Sequence, residues 1–159
     1  MPVPVNSSFM REAIRLSLEK MEEGAGGPFG AVVVHSGRIV GRGWNQVTST
    51  NDPTAHAEVI AIRKACKRLG TFVLDSCELY TSCEPCPMCL AAIYWARIPR
   101  VYYGNTRRDA ARIDFDDQWL YREVSRPIRA RKVIMKPLLR NEAIVAFRVW
   151  SEKPDKTPY

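Results

Sequence analysis

Apolar and polar positions alternate along this chain with two spacings, one typical of helices and one typical of strands. Residues 9–23 place their apolar side chains near one face of a predicted helix, after two serines that suit its N-cap. The apolar run 31–34 then turns at 36–37 into a second short run at 38–41, which predicts a β-hairpin.

The rest of the chain continues this alternation. Further helices are predicted at 54–69, 86–97, 116–124 and 141–150. Further strands are predicted at 78–81, 101–103 and 132–135. Strands that alternate with helices indicate an α/β layered fold, and 159 residues suit a single domain, 1–159, with one core.

The charge balance bears on possible partners. The formal net charge is +7, and most of the excess lies after residue 100. The basic residues there are scattered and form no dense run interleaved with aromatics. This distribution favours an ordinary solvated surface over a nucleic-acid track, so nucleic acid is not the expected partner.

Cysteine usage and hydropathy bear on the cellular setting. Three of the five cysteines fall within residues 83–89, which favours metal binding in a reducing compartment over a disulfide framework. No apolar stretch is long enough to cross a bilayer. Residues 1–6 lack the basic region and apolar run of a secretory signal. We therefore expect a cytoplasmic protein with no membrane partner.

Two fragments, His56-Ala57-Glu58 and Pro85-Cys86-Pro87-Met88-Cys89, carry the most specific chemistry. Together they match the H-x-E…P-C-x-x-C signature of zinc nucleobase deaminases, in which one His and two Cys hold Zn²⁺ and the Glu moves protons. Cys86 and Cys89 fall in the first turn of a predicted helix, whose dipole favours thiolates. Three protein ligands leave the fourth position of zinc open for water, as in catalytic sites.

Cys83 leaves the choice of ligands open. Cys83-Glu84-Pro85-Cys86 is a second C-x-x-C that overlaps the first, so Cys83 could replace Cys89. A structural zinc held by His56 and all three cysteines is a further alternative, but it leaves Glu58 without a role. We prefer Cys86 and Cys89, and expect Cys83 to line the pocket.

Other candidate residues have two readings each. Asn45 fits either a contact with a base edge or an ordinary turn. Phe29 and Trp95 fit either a sandwich around a ring or the core. The acidic residues that flank Phe115 fit either a role in the site or helix capping.

Five stretches of the chain resemble bacterial guanine deaminases of the cytidine deaminase fold, over nearly the whole length. They are residues 27–32, 50–58, 80–89, 92–97 and 115–117. The second and third stretches are specific for the superfamily. The Phe-Asp-Asp element at 115–117 and the terminal Tyr159 point to the guanine branch. Residues 126–141 depart from the family pattern.

The resemblance implies a three-layer α/β/α fold with a five-stranded mixed sheet. It also implies a homodimer that exchanges a C-terminal segment, about 141–159, between its subunits. The implied reaction is the hydrolysis of guanine, a small purine base, to xanthine and ammonia with one Zn²⁺ per subunit.

The resemblance further assigns roles to individual residues. It implies zinc on His56, Cys86 and Cys89, with Glu58 as the proton shuttle. It implies that Asp117 contacts the guanine amino edge and helps the amine leave. The implied substrate-binding residues are Asn45, the backbone near Ala57, Phe29, Trp95, Phe115, and Tyr159 from the partner subunit.

Rival hypotheses differ in substrate or in class. A tRNA adenosine deaminase shares the fold and the zinc motif, and would use the positive charge. Guanosine, cytosine or an aminotriazine are alternative substrates, because pocket contacts rather than the zinc motif set specificity. A zinc-stabilised nucleic-acid-binding module would bind with strong salt dependence and release no ammonia.

Overall fold

A computed structural model describes residues 5–159. Four of the six N-terminal residues on which the secretory-signal expectation rests therefore lie outside the described residues. The chain divides into two compact units, one that ends at Tyr121 and one that covers Arg122–Tyr159. The helices formed by residues 5–159 all lack the combination of length and hydropathy needed to span a bilayer.

The first unit contains most of the regular structure. Its strands are β1 (Gly30–His35), β2 (Arg38–Trp44), β3 (Cys77–Cys83) and β4 (Arg100–Asn105). Its helices are α1 (Ser7–Glu22), α2 (Val47–Thr50), α3 (Ala57–Leu69), α4 (Pro87–Trp95) and α5 (Arg107–Ala111). Helix α6 (Asp117–Val124) begins in the first unit, and the second unit contains a 3₁₀ turn (Ile128–Ala130) and α7 (Arg140–Glu152).

The strands form one mixed sheet, as predicted, but it has four strands among residues 5–159 rather than five. Their order is β2-β1-β3-β4, with β1 antiparallel to both neighbours and β3 parallel to β4. The predicted fifth strand at 132–135 is wrong, because these residues are irregular and Val133, Ile134 and Met135 are exposed. Its apolar composition favours a strand, but a strand also needs a neighbouring edge to pair with.

Helices cover both faces of this sheet, which gives the expected α/β class. On one face Leu16 of α1 packs against Val32, Val34 and Tyr80. The other face carries α3 and α4, whose alanines and isoleucines share a larger core with β1, β2 and β3. The functional side chains described below lie at the N-terminal ends of α3 and α4.

Several helix boundaries differ from the sequence prediction by a few residues. The N-cap of α1 is Asn6, whose side chain accepts a hydrogen bond from the Ser8 N–H at 2.9 Å. Helix α3 begins at Ala57 rather than near residue 54, and α4 begins at Pro87 rather than at Cys86, which is its N-cap. Helix α5, which the hydrophobic pattern does not predict, begins with a capping box between Thr106 and Asp109.

Helix α3 lies unusually close to β2, because two glycines face it. A Cβ atom built on Gly43 would lie 2.0 Å from the carbonyl oxygen of Ala57, and one on Gly41 would lie 2.2 Å from that of Ala61. The helix backbone therefore rests directly on the strand backbone. This contact fixes the position of the first turn of α3 relative to the sheet.

Replacing Gly43 with alanine should separate α3 from β2. The substitution overpacks a backbone contact that has no flexible side chain to yield, so we expect unfolding to become easier by about 1–3 kcal/mol. Urea unfolding measures this change. Gly104→Ala, where the nearest atom to the new Cβ is a carbonyl oxygen at 2.9 Å, should cost less, and equal stability of Gly43→Ala and the unmodified protein would contradict this packing.

Candidate active site

The N-termini of α3 and α4 meet at one point. His56 is the N-cap of α3 and Cys86 is the N-cap of α4, while Cys89 lies in the first turn of α4. The Nδ1 atom of His56 lies 3.5 Å from the Sγ atom of each cysteine. One donor atom from each of the three residues lies within 4.8 Å of the others.

These donors fit a zinc ion in type and spacing. Ligands about 2.0–2.3 Å from a tetrahedral zinc stand about 3.5–3.8 Å apart, which matches the separations of His56 from both cysteines. A hydrogen bond with Cys89 lowers the pKa of Cys86, so this thiol gives up its proton readily. The N-terminal dipole of α4 also favours thiolate, the form that binds metal.

Glu58 lies beside the three donors but is not one of them. It is in the first turn of α3, and only 6% of its surface is exposed. Its carboxyl accepts a hydrogen bond from Thr81 Oγ1 at 3.4 Å and one from Cys89 Sγ at 3.4 Å. Burial raises the pKa of Glu58, so the carboxyl can hold or release a proton closer to neutral pH than an exposed glutamate can.

A cavity of about 230 Å³ opens next to these groups. Its wall comes from the loop before β1, the segment after β2, the start of α3, the segment between β3 and α4, and the start of α6. The lining residues are Gly27, Phe29, Asn45, Val47, Thr48, Pro53, His56, Ala57, Glu58, Cys83, Glu84, Cys86, Phe115 and Asp117.

A larger cavity, of about 580 Å³, lies against the sheet face that α1 covers. Its buried carboxylate, Glu78, is already bound by the Tyr80 hydroxyl at 3.1 Å and by Arg100 at 2.9 Å. The metal donors and Glu58 line the smaller cavity instead. Reaction chemistry therefore belongs to the smaller cavity.

The side-chain amide of Asn45 has a fixed orientation. Its Oδ1 atom accepts hydrogen bonds from the backbone N–H of Val47 at 3.1 Å and of Gly27 at 3.3 Å. The acceptor end of the amide is therefore occupied, and the Nδ2 end supplies the remaining donors. On the cavity wall this residue offers donors to an acceptor on a bound ring.

The segment 115–117 supplies an aromatic wall and an acid. The ring of Phe115 packs edge-on against Phe29, with centroids 4.9 Å apart. Asp116 caps α6 by accepting a hydrogen bond from the Trp119 N–H at 2.9 Å. Asp117 lines the cavity, and burial raises its pKa to about 6. The two roles that the sequence left open therefore fall on neighbouring aspartates.

Comparison with known families agrees with this geometry. A family model described as "Cytidine and deoxycytidylate deaminase zinc-binding region" matches residues 4–105, which include His56, Glu58, Cys86 and Cys89. The chain belongs to this deaminase family. It is therefore a zinc-dependent hydrolase that removes amino groups.

Guanine deaminases and tRNA-specific adenosine deaminases are among the proteins that this deaminase resembles. It is 49% identical to "Guanine deaminase" of Bacillus subtilis (strain 168), over 97% of this chain and 99% of that one. An X-ray structure of guanine deaminase from B. subtilis superposes with a TM-score of 0.94 at 48% identity, and the match covers 98% and 99% of the two chains. A "tRNA-specific adenosine deaminase" of Aquifex aeolicus (strain VF5) is 43% identical over 60% of this chain and 63% of that one.

The deaminase cavity gathers most of the predicted site residues, but not all. Phe29, Asn45, Ala57, Phe115 and Asp117 line it together with the metal donors and Glu58. Trp95 is not one of the described residues that line the cavity. It is the last residue of α4, and 66% of its surface is exposed. Tyr159 lies in the second unit and is largely exposed. For these two residues, contact with substrate stays a prediction.

Cys83 lines the cavity as the preferred interpretation expects, and burial raises its pKa to about 12.

The sequence pattern does not assign several other cavity residues to the site. Glu84, which precedes Pro85-Cys86, and Gly27, which follows α1, were not assigned to the site. Their only sequence signal is proximity to the metal motif and to the stretch 27–32.

Removing single cysteines should separate the alternative zinc ligands. We expect Cys89→Ala to lose its zinc, because this deletes one of three donors, whereas Cys83→Ser should keep one zinc per chain. Elemental analysis of the purified variants measures both. Zinc retained by Cys89→Ala but lost by Cys83→Ser would show that Cys83 is the ligand.

Proposed function

We propose that this deaminase hydrolyses guanine to xanthine and ammonia. The observation that carries the proposal is the similarity to guanine deaminase over nearly the whole chain. This similarity continues well past residue 105, where the general deaminase region ends, and so reaches the cavity residues Phe115 and Asp117.

His56, Cys86 and Cys89 would hold the zinc ion in this reaction. When bound, Zn²⁺ would lower the pKa of a water molecule and so supply the nucleophile. Two thiolates balance much of its charge, so a nearby base is needed to remove the proton from water. The chain supplies that base within the same cavity.

Glu58 carries the protons of the reaction. Its buried carboxyl accepts a proton from the attacking water and passes it to a ring nitrogen of guanine, and it later transfers the remaining proton of the new hydroxyl group to the departing amine. One water is consumed, and the carbon–nitrogen bond to the amino group breaks to give ammonia. The raised pKa of Glu58 suits both the accepting and the donating step.

The remaining cavity groups hold the base. The Nδ2 donors of Asn45 face the carbonyl oxygen or ring nitrogen of guanine, both of which accept hydrogen bonds. Phe29 and Phe115 bound the plane of the ring, and the backbone near Ala57 adds a polar contact. Asp117 lies at the amino edge, where its carboxyl accepts from the amine and assists its departure.

Adenosine in tRNA is the second candidate substrate, because the tRNA-specific adenosine deaminase of Aquifex aeolicus is 43% identical to this chain over the matched residues. That similarity covers only 60% of the chain. Guanosine, cytosine and aminotriazines are further alternative substrates, and a substrate panel distinguishes them from guanine.

A substrate panel tests the proposed reaction. We expect ammonia and xanthine from guanine, little product from guanosine or cytosine, and no inosine from a tRNA anticodon stem-loop. Prior chelation of the metal should abolish the guanine reaction. Inosine in the RNA without xanthine from guanine would establish the rival activity.

Glu58→Gln should keep the zinc and lose most of the turnover. The amide preserves size but cannot shuttle a proton, so kcat on guanine should fall by about 10²–10⁴. Elemental analysis and steady-state kinetics measure the two effects. Glu22→Gln, on an exposed part of α1, serves as the matched control, and near-normal turnover of Glu58→Gln would remove Glu58 from the mechanism.

A homodimer that exchanges residues of about 141–159 completes the proposal, in a cytoplasmic enzyme with a single deaminase domain. The second unit exposes large apolar side chains, among them Ile134, Leu138 and Phe147. Such side chains in one region mark an interaction surface, and a second copy of the chain would cover them. In this arrangement Tyr159 closes the partner's cavity.

Deleting Tyr159 tests this role of the tail. We expect the unmodified protein to be a dimer in light scattering. The truncated chain should deaminate guanine more slowly, because its cavity loses one wall. Thr157→Ala provides a control in the same tail. A monomeric protein, or full turnover without Tyr159, would contradict the exchange.

A further inference from the structure

The carboxylate of Glu84 is held by three donors from one residue. The Nε and Nη2 atoms of Arg107 lie 2.9 Å and 2.7 Å from its Oε1 atom. The backbone N–H of Arg107 donates to Oε2 at 2.9 Å. The backbone N–H of Glu84 also donates to the carbonyl of Asn105 at 2.8 Å. The chain just before the Cys86 ligand is therefore tied to the start of α5.

Tyr121 contacts both sides of this connection. The guanidinium of Arg107 lies over its ring, 3.9 Å from the centroid. Its hydroxyl donates a hydrogen bond to the carbonyl oxygen of Pro85 at 2.7 Å. Pro85 is bonded directly to Cys86, so Tyr121 holds the backbone that presents this thiolate.

The same tyrosine also positions the acid across the cavity. Asp117 and Tyr121 stand four residues apart on α6 and therefore lie on the same side of the helix. Fixing the Tyr121 ring between Arg107 and Pro85 fixes the turn of α6 that carries Asp117. The metal-ligand loop and Asp117 are thus connected through one cluster of side chains.

We propose that Glu84, Arg107 and Tyr121 form a clamp. The clamp sets the distance between Asp117 and the loop Glu84-Pro85-Cys86, called the Cys86 loop. Arg107 and Tyr121 are therefore positioning residues of the reaction. The Asp117 part rests on the proposed guanine reaction, whereas the Cys86 part does not depend on the substrate. Arg107 and Glu84 keep side-chain exposures of 35% and 19%. An ion pair this accessible adds little stability, so its contribution is geometric.

Two conservative variants test the clamp. Tyr121→Phe keeps the ring beneath Arg107 and removes only the hydrogen bond to Pro85. Arg107→Lys keeps the charge and removes the two-pronged contact with Glu84. Mutation of a residue that holds a metal ligand in place typically lowers metal affinity or activity by about 10–100-fold. We expect each variant to lower kcat on guanine by about 10-fold and to speed zinc loss to a chelator by a similar factor, with smaller changes in KM.

The control variants are Tyr103→Phe and Arg108→Lys. Both residues are exposed and lie next to the clamp in sequence, so both variants should behave as the unmodified enzyme. A double-mutant comparison isolates the positioning role. In an Asp117→Asn background, Tyr121→Phe should lower kcat by a smaller factor than in the unmodified enzyme, because the part of its effect that acts through Asp117 is already lost, whereas zinc loss to the chelator should be as fast as in Tyr121→Phe alone.

Three outcomes would overturn the clamp. One is unmodified kcat and zinc retention in both clamp variants, and another is an equal loss in both control variants. The third is the same fold-loss of kcat with and without Asp117, which would show that Tyr121 does not act through this acid and that the clamp does not connect the Cys86 loop to Asp117. If the unmodified enzyme fails to deaminate guanine, the proposed function is wrong, and zinc loss to the chelator still decides the clamp.

Discussion

The direct backbone contact between α3 and β2 is the constraint on which the site depends. Gly41 and Gly43 bring the carbonyls of Ala61 and Ala57 against the strand, where any Cβ would force the helix away. The first turn of α3 carries Glu58, and His56 precedes it. The position of the metal donor and of the proton carrier is therefore set by the absence of two side chains on a strand.

The site also depends on electrostatic balance. Two cysteines, a histidine and a buried glutamate lie within a few ångströms of one another, and burial raises the pKa values of Glu58 and Asp117. Ionised carboxylates and thiolates repel one another in a medium of low polarity. A divalent cation offsets this repulsion, and the N-termini of α3 and α4 add to the positive potential. The cation and the helix N-termini therefore allow these acidic groups to lie close together.

In the proposed reaction, the residues that would discriminate between substrates lie in different parts of the chain from the metal donors. The general deaminase region ends at residue 105, whereas Phe115 and Asp117 lie beyond it. Asn45 lies within that region, but its two backbone contacts decide which end of its amide faces the cavity. A common zinc centre can thus serve different bases, because the groups that read the base stand on separate loops.

The sequence by itself determined the α/β class, the hairpin, and the candidate metal donors His56, Cys86 and Cys89 with Glu58 beside them. These follow from local spacing, since His-x-Glu and Cys-x-x-Cys place donors within one helical turn. It also determined the regions of the five longer helices, α1, α3, α4, α6 and α7, although caps moved the ends of three of them to Asn6, His56 and Cys86.

Only the tertiary structure decided how many strands pair, which way the Asn45 amide faces, and which aspartate enters the cavity. It also brought Glu84, Arg107 and Tyr121 together from three separate elements, and it left Trp95 exposed. These features depend on contacts between residues far apart in the chain. A strand at 132–135 needs a partner edge, and an amide orientation needs distant donors, so neither can be read from neighbouring residues alone.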